Sequence, residues 1–104
     1  MHAAIDLVLD EVERGEFADP RDAAAAVMAA VFRINEELSR IVNEDEKERM
    51  LRRWVARLID GVGTLSVRFD TLWFSLSVGW PPSVNATVGW VPAPPSRRTA
   101  APPS

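Results

Sequence analysis

The chain has 104 residues, a formal net charge of −3, no cysteine, no tyrosine and a single histidine. That length is one domain's worth; the missing cysteines exclude disulfide frameworks, thiolate nucleophiles and zinc fingers. The single histidine, His2, stands beside the start Met, which leaves general acid–base chemistry short of its usual residues.

Residues 3–14 read as a short amphipathic helix. Ile5, Val8, Leu9 and Val12 share one face, Asp6, Asp10, Glu11 and Glu13 lie off it, and Gly15 supplies a C-terminal stop. Asp19-Pro20 then opens a second helix, with Asp19 as N-cap and Pro20 at the first helical position. This helix runs to about residue 42. Its apolar residues Ala24, Val27, Val31, Ile34, Leu38 and Ile41 step by alternating threes and fours, a heptad seam suited to a bundle or a dimer. Asn43 with Glu46 three residues later has the form of a capping box. A third helix over 44–60 follows, with its own stripe of Leu51, Trp54, Val55, Leu58 and Val62, so residues 20–60 read as a helical hairpin rather than one rod.

At Gly61-Val62-Gly63 the apolar period changes from three or four to two. Leu65, Val67 and Phe69 alternate with polar residues, and Leu72, Phe74, Leu76, Val78 and Trp80 do so again. The pattern predicts strands over 64–69 and 72–80, joined by a tight turn at Asp70-Thr71, with a third over 84–91. Pro81-Pro82 ends the second strand. Beyond Pro92 no apolar period survives, and the Pro-rich residues 92–104 read as a disordered tail. The expected architecture is α+β: a single domain over 1–91, with two or three amphipathic helices followed by an antiparallel hairpin or three-strand meander.

Charge is unevenly divided. Residues 1–46 carry four Arg against twelve Asp and Glu, whereas residues 47–104 carry eight Lys and Arg against three acids. This asymmetry fits complementary faces within one fold, or separate partners for each half. Arginine outnumbers lysine eleven to one, a bias of GC-rich bacterial genomes. The first residues lack a basic signal-peptide region and no long apolar run appears, so the sequence predicts a soluble cytoplasmic protein.

Few residues are placed for a partner. In the predicted hairpin Trp73 is the one large apolar side chain on the polar face, opposite Arg68. Trp and Arg dominate interface hot spots, so this pair, with Trp80 and Trp90 at strand ends, is the candidate protein-binding set. The alternative reading of the pair is a local cation–π contact. Arg49, Arg52, Arg53 and Arg57 on the third helix form the candidate nucleic-acid contact, against the alternative of helical ion pairs with Asp45 and Glu48. Other apparent motifs fail on context. Gly61-x-Gly63 precedes a strand rather than a helix, Glu44-Asp45-Glu46 point apart on a helix, and Ser66, Ser75 and Ser77 have no histidine base nearby. The expectation is a non-catalytic interaction or assembly module without cofactor or metal, oligomeric, binding a protein partner or itself; a nucleic-acid-associated regulator is the alternative.

Overall fold

The computed structural model describes residues 3–90 and contains three helices followed by one antiparallel hairpin, an α+β fold. Helix α1 spans Ala3–Arg14, α2 Pro20–Arg40, α3 Glu44–Arg68, and strands β1 and β2 span Leu72–Gly79 and Ser83–Trp90. The tail expected over 92–104 lies outside the described residues.

The helix boundaries follow from local chemistry. Gly15 takes φ 64°, a left-handed turn that glycine adopts without steric cost, and its N–H donates to the Glu11 carbonyl. Asp19 Oδ1 accepts the Arg21 N–H at 2.7 Å and caps α2. Asn43 Oδ1 accepts the Glu46 N–H at 2.9 Å and caps α3. Residues 41–43 leave the helical conformation, so α2 and α3 form a helical hairpin.

The predicted strand over 64–69 is corrected: these residues are the last turns of α3, which continues beyond residue 60 to Arg68. Its buried side is Leu51, Trp54, Leu58, Gly61 and Leu65. These positions step by three, four, three and four, so the seam passes through Gly61 without a break. A strand burying Leu65, Val67 and Phe69 together would use a period of two. Instead Leu65 is buried, Phe69 is half-buried as the C-cap, and Val67 points to solvent. Thr64 Oγ1 donates back to the Asp60 carbonyl at 3.2 Å, a local bond of a helical turn.

The hairpin is therefore β1 with β2, not 64–69 with 72–80. Trp80, Pro81 and Pro82 connect the strands, and the Trp80–Pro81 peptide is cis. The register pairs Leu72 with Trp90, and sets Phe74 with Val88, Leu76 with Ala86 and Val78 with Val84 on one face. Trp73 with Gly89, Ser75 with Thr87, Ser77 with Asn85 and Gly79 with Ser83 occupy the other.

One core joins these parts. Ile5, Leu9 and Val12 of α1, Val27, Ile34 and Leu38 of α2, and Trp54, Leu58 and Leu65 of α3 are almost completely excluded from solvent. α1 packs on both longer helices, while β2 lies against α2 and β1 approaches α3. Among the described side chains of the hairpin, Leu72 and Val84 enter the core, and Phe74, Leu76, Ala86 and Val88 pack more loosely on it. No described helix is long and apolar enough to cross a membrane.

Candidate functional site: an open strand edge beside Trp73

A side chain of α2 helps to fasten the hairpin to the helices. Asn35, on the flank of α2, donates from Nδ2 to the Val84 carbonyl and accepts the Val84 N–H at Oδ1, both at 2.8 Å. The side-chain amide thus occupies the place of a neighbouring strand. It also fixes the direction of the backbone groups. In an antiparallel pair, alternate residues point both groups outward. Because Val84 points toward α2, its register partner Val78, and with it Leu76 and Phe74, point theirs away from β2. Among the described residues, no protein group receives the backbone groups of Phe74, Leu76 or Val78 along this free edge. Asn35 carries no sequence signal for this role, since nothing in the apolar pattern distinguishes it from a solvated helix residue.

The outer face of the hairpin is made of Ser, Thr, Asn and Gly, with one large side chain. That side chain is Trp73, 47% exposed. Its ring lies across Gly89: a Cβ at that position would fall 2.5 Å from Trp73 Cζ2. Gly89 is therefore the seat of the indole, because any side chain there would displace it. Trp80, at the connection, is 83% exposed, and Val78 on the inner face is 53% exposed. Trp90 stands at the end of β2, and its side chain is outside the described set.

Arg68 does not face Trp73, which corrects the predicted pairing. The register that would have brought them together needs residues 64–69 as a strand, and they are helical. Arg68 instead donates to the Gly15 carbonyl and lies over the Phe69 ring at 5.4 Å. It fastens the end of α3 to the α1–α2 connection, and its cation–π partner is Phe69 rather than a tryptophan.

The arginines of α3 part company. Arg57 reaches α1, where it bonds Glu13 at 2.9 and 3.1 Å, Asp6 at 3.1 Å and also Asp10. The hydrogen bond to Glu13 is the main reason the Arg57 pKa lies above its ordinary value; partial desolvation opposes it and Asp10 adds to it. Part of the charge asymmetry along the sequence is thereby neutralised inside the fold. Arg52 pairs with Glu48 at 2.7 Å. Arg49 and Arg53 have no ion pair among the described residues. Arg49, with Asp45, Glu48 and Arg52, lines a shallow open depression whose charges are mixed.

Replacing Arg57 by Met keeps most of the aliphatic contact but leaves three carboxylates facing one another. The cluster is partly solvated, so the expected loss is about 1 kcal/mol, shrinking in high salt. Denaturant unfolding at two ionic strengths checks this, and a loss that does not change with salt would refute the electrostatic account.

Comparison with protein-family models, curated proteins and solved structures finds no match. The functional reading therefore rests on this chain's own residues.

Proposed function

We propose that this chain is a small, non-catalytic interaction module of the cytoplasm. It presents the free edge of β1, with Trp73 on the adjoining face and Trp80 at the hairpin tip, to a protein partner. The observation that carries this reading is the edge itself. Leu72–Gly79 is eight residues long, contains no charge and no proline, and leaves the backbone groups of Phe74, Leu76 and Val78 without a partner among the described residues. Natural edge strands are usually protected by lysines, prolines, bulges or inward charges. An edge without such protection is suited to strand addition, where backbone bonds give affinity and flanking side chains give specificity.

The nucleic-acid reading draws less support from the same chemistry. Of the four candidate residues, Arg57 and Arg52 already serve intramolecular carboxylates, so only Arg49 and Arg53 remain free to neutralise phosphates. The two readings separate in one comparison. Trp73→Ala should abolish co-purification of the protein partner, whereas the double change Arg49→Ala, Arg53→Ala should leave it intact. Retention on duplex DNA that falls steeply with salt, and disappears in the arginine double variant, would instead favour the regulator.

A further inference from the structure

Resting on the reading of β1 as an interaction edge, we infer that its occupant is a second copy of this chain, joined across a two-fold axis at Leu76 into a continuous four-stranded sheet.

The two edges of the hairpin are unequal. The β2 edge faces α2 and is tied there by both bonds from Asn35 to Val84, a residue that is 1% exposed. The β1 edge carries no further strand, because the sheet order is β1–β2 and ends there, and no described group bonds the outward N–H and C=O of Phe74, Leu76 and Val78. A second copy can therefore add on one side only. An interface that uses the same patch on both copies closes at a dimer and cannot grow into a fibre.

The register follows from which groups are free. Phe74, Leu76 and Val78 point their N–H and C=O to the open edge, whereas the N–H of Leu72 is already donated to the Phe69 carbonyl at 2.9 Å. The antiparallel self-pairing that uses only the three free residues sets Leu76 opposite its own copy and Phe74 opposite Val78. It adds up to about six backbone hydrogen bonds.

Side chains agree with this register on both faces. On the inner face Phe74 meets Val78 twice, an aromatic with β-branched pair, and covers a valine that is 53% exposed in the single chain. On the outer face Ser75 meets Ser77. Trp73 meets Gly79, so the incoming strand brings no side chain against the indole, which keeps its seat across Gly89. No charge lies anywhere in β1 to oppose its own image. A two-fold axis normal to the sheet also places the helices of both copies under the same face, so the half-buried apolar faces of the two hairpins become continuous.

The test is the oligomeric state of the full chain, read by sedimentation equilibrium across a dilution series. A dimer is expected, and Val78→Lys should convert it to a monomer. The lysine adds an inward charge at the edge, and Val78 is exposed enough in the single chain for a lysine to reach water. Because the natural chain has no cysteine, Leu76→Cys gives an independent readout. Opposed residues of a hydrogen-bonded pair lie about 5.5 Å apart at Cα, within disulfide range. Mild oxidation should therefore cross-link Leu76→Cys but not Thr87→Cys, which sits on the outer face of β2. A strict monomer at high concentration overturns the second copy as occupant. A dimer that survives Val78→Lys, or a Leu76→Cys chain that does not cross-link, overturns it as well. The broader reading is judged separately: loss of a different protein's co-purification on Val78→Lys, in a chain shown to be monomeric, would keep the edge and reject the self-pairing.

Discussion

Replacing Asn35 by Leu should cost about 2–4 kcal/mol and release the hairpin from the helices before the helices themselves unfold. The side chain is nearly isosteric, so the change removes chemistry rather than volume. Both groups of Val84 then lose their protein partner beside a side chain that is 1% exposed, and each unsatisfied buried group costs about 1–3 kcal/mol. A two-stranded hairpin is marginal in water by itself, so losing this attachment acts on the whole sheet. Asn35→Asp separates the two bonds. A carboxylate still accepts the Val84 N–H but repels the Val84 carbonyl, so this variant should be as unstable as Leu at neutral pH. Protonation of the introduced carboxyl restores a donor, and the Asp variant should therefore regain stability, relative to Leu, as the pH falls. Amide hydrogen exchange supplies the regional readout: β1 and β2 should lose protection while α1 and α3 retain it. Uniform loss of protection throughout the chain would show that Asn35 supports the fold generally and is not a specific hairpin clasp.

The sequence is explicit where one residue type has one local use. Asp19-Pro20 and Asn43 mark helix starts because an acceptor side chain can satisfy free backbone amides there, and both caps are formed. The seam of α2 is legible because every member is a sizeable apolar residue or an alanine. The end of α3 is misleading because one seam position is a glycine. Gly61 contributes no apolar side chain, so Val62 stands in as the last apolar member of the stripe beside the apparent stop at Gly61, and Leu65, Val67 and Phe69 then imitate a strand. Read with Gly61 as a small seam residue, the three-four spacing continues to Leu65. The same ambiguity reaches the site. Moving the first strand from 64–69 to Leu72–Gly79 replaces Arg68 with Gly89 as the neighbour of Trp73. Trp73 itself was legible as an outward-facing indole because its parity within 72–80 does not depend on the identity of the partner strand. Asn35 was not, since its contact with Val84 spans 49 positions and depends on how the hairpin lies over α2. The same holds for Arg57, whose acidic partners on α1 are set by the packing of α1 against α3.

The two glycines that interrupt the pattern should respond to substitution with opposite signs. At Gly61 an added Cβ would lie 2.5 Å from Val12 Cγ1, 3.3 Å from the Val12 carbonyl carbon and 3.4 Å from the Glu13 N. Val12 is fully buried and, being β-branched, has little rotamer freedom with which to yield. Two of the three neighbours are backbone atoms of α1, so relief requires α1 to move away from α3. Such a movement also loosens the bonds from Arg57, one turn earlier on the same helix, to Glu13. Gly61→Val should therefore destabilise by about 3 kcal/mol, at the upper end of overpacking costs, and Gly61→Ala by less because alanine returns about 1 kcal/mol of helix propensity. At Gly63 nothing lies within 4 Å of the same Cβ, and the residue is in the interior of α3. Gly63→Ala meets no clash and lowers the entropy of the unfolded chain, so it should stabilise by about 0.5–1 kcal/mol. Denaturant midpoints of the three variants, measured with unchanged slopes, decide the matter. If residues 61–63 were a linker between a helix and a strand, the two sites would behave alike; a destabilising Gly61→Val beside a stabilising Gly63→Ala is the signature of one helix packed tightly at a single point.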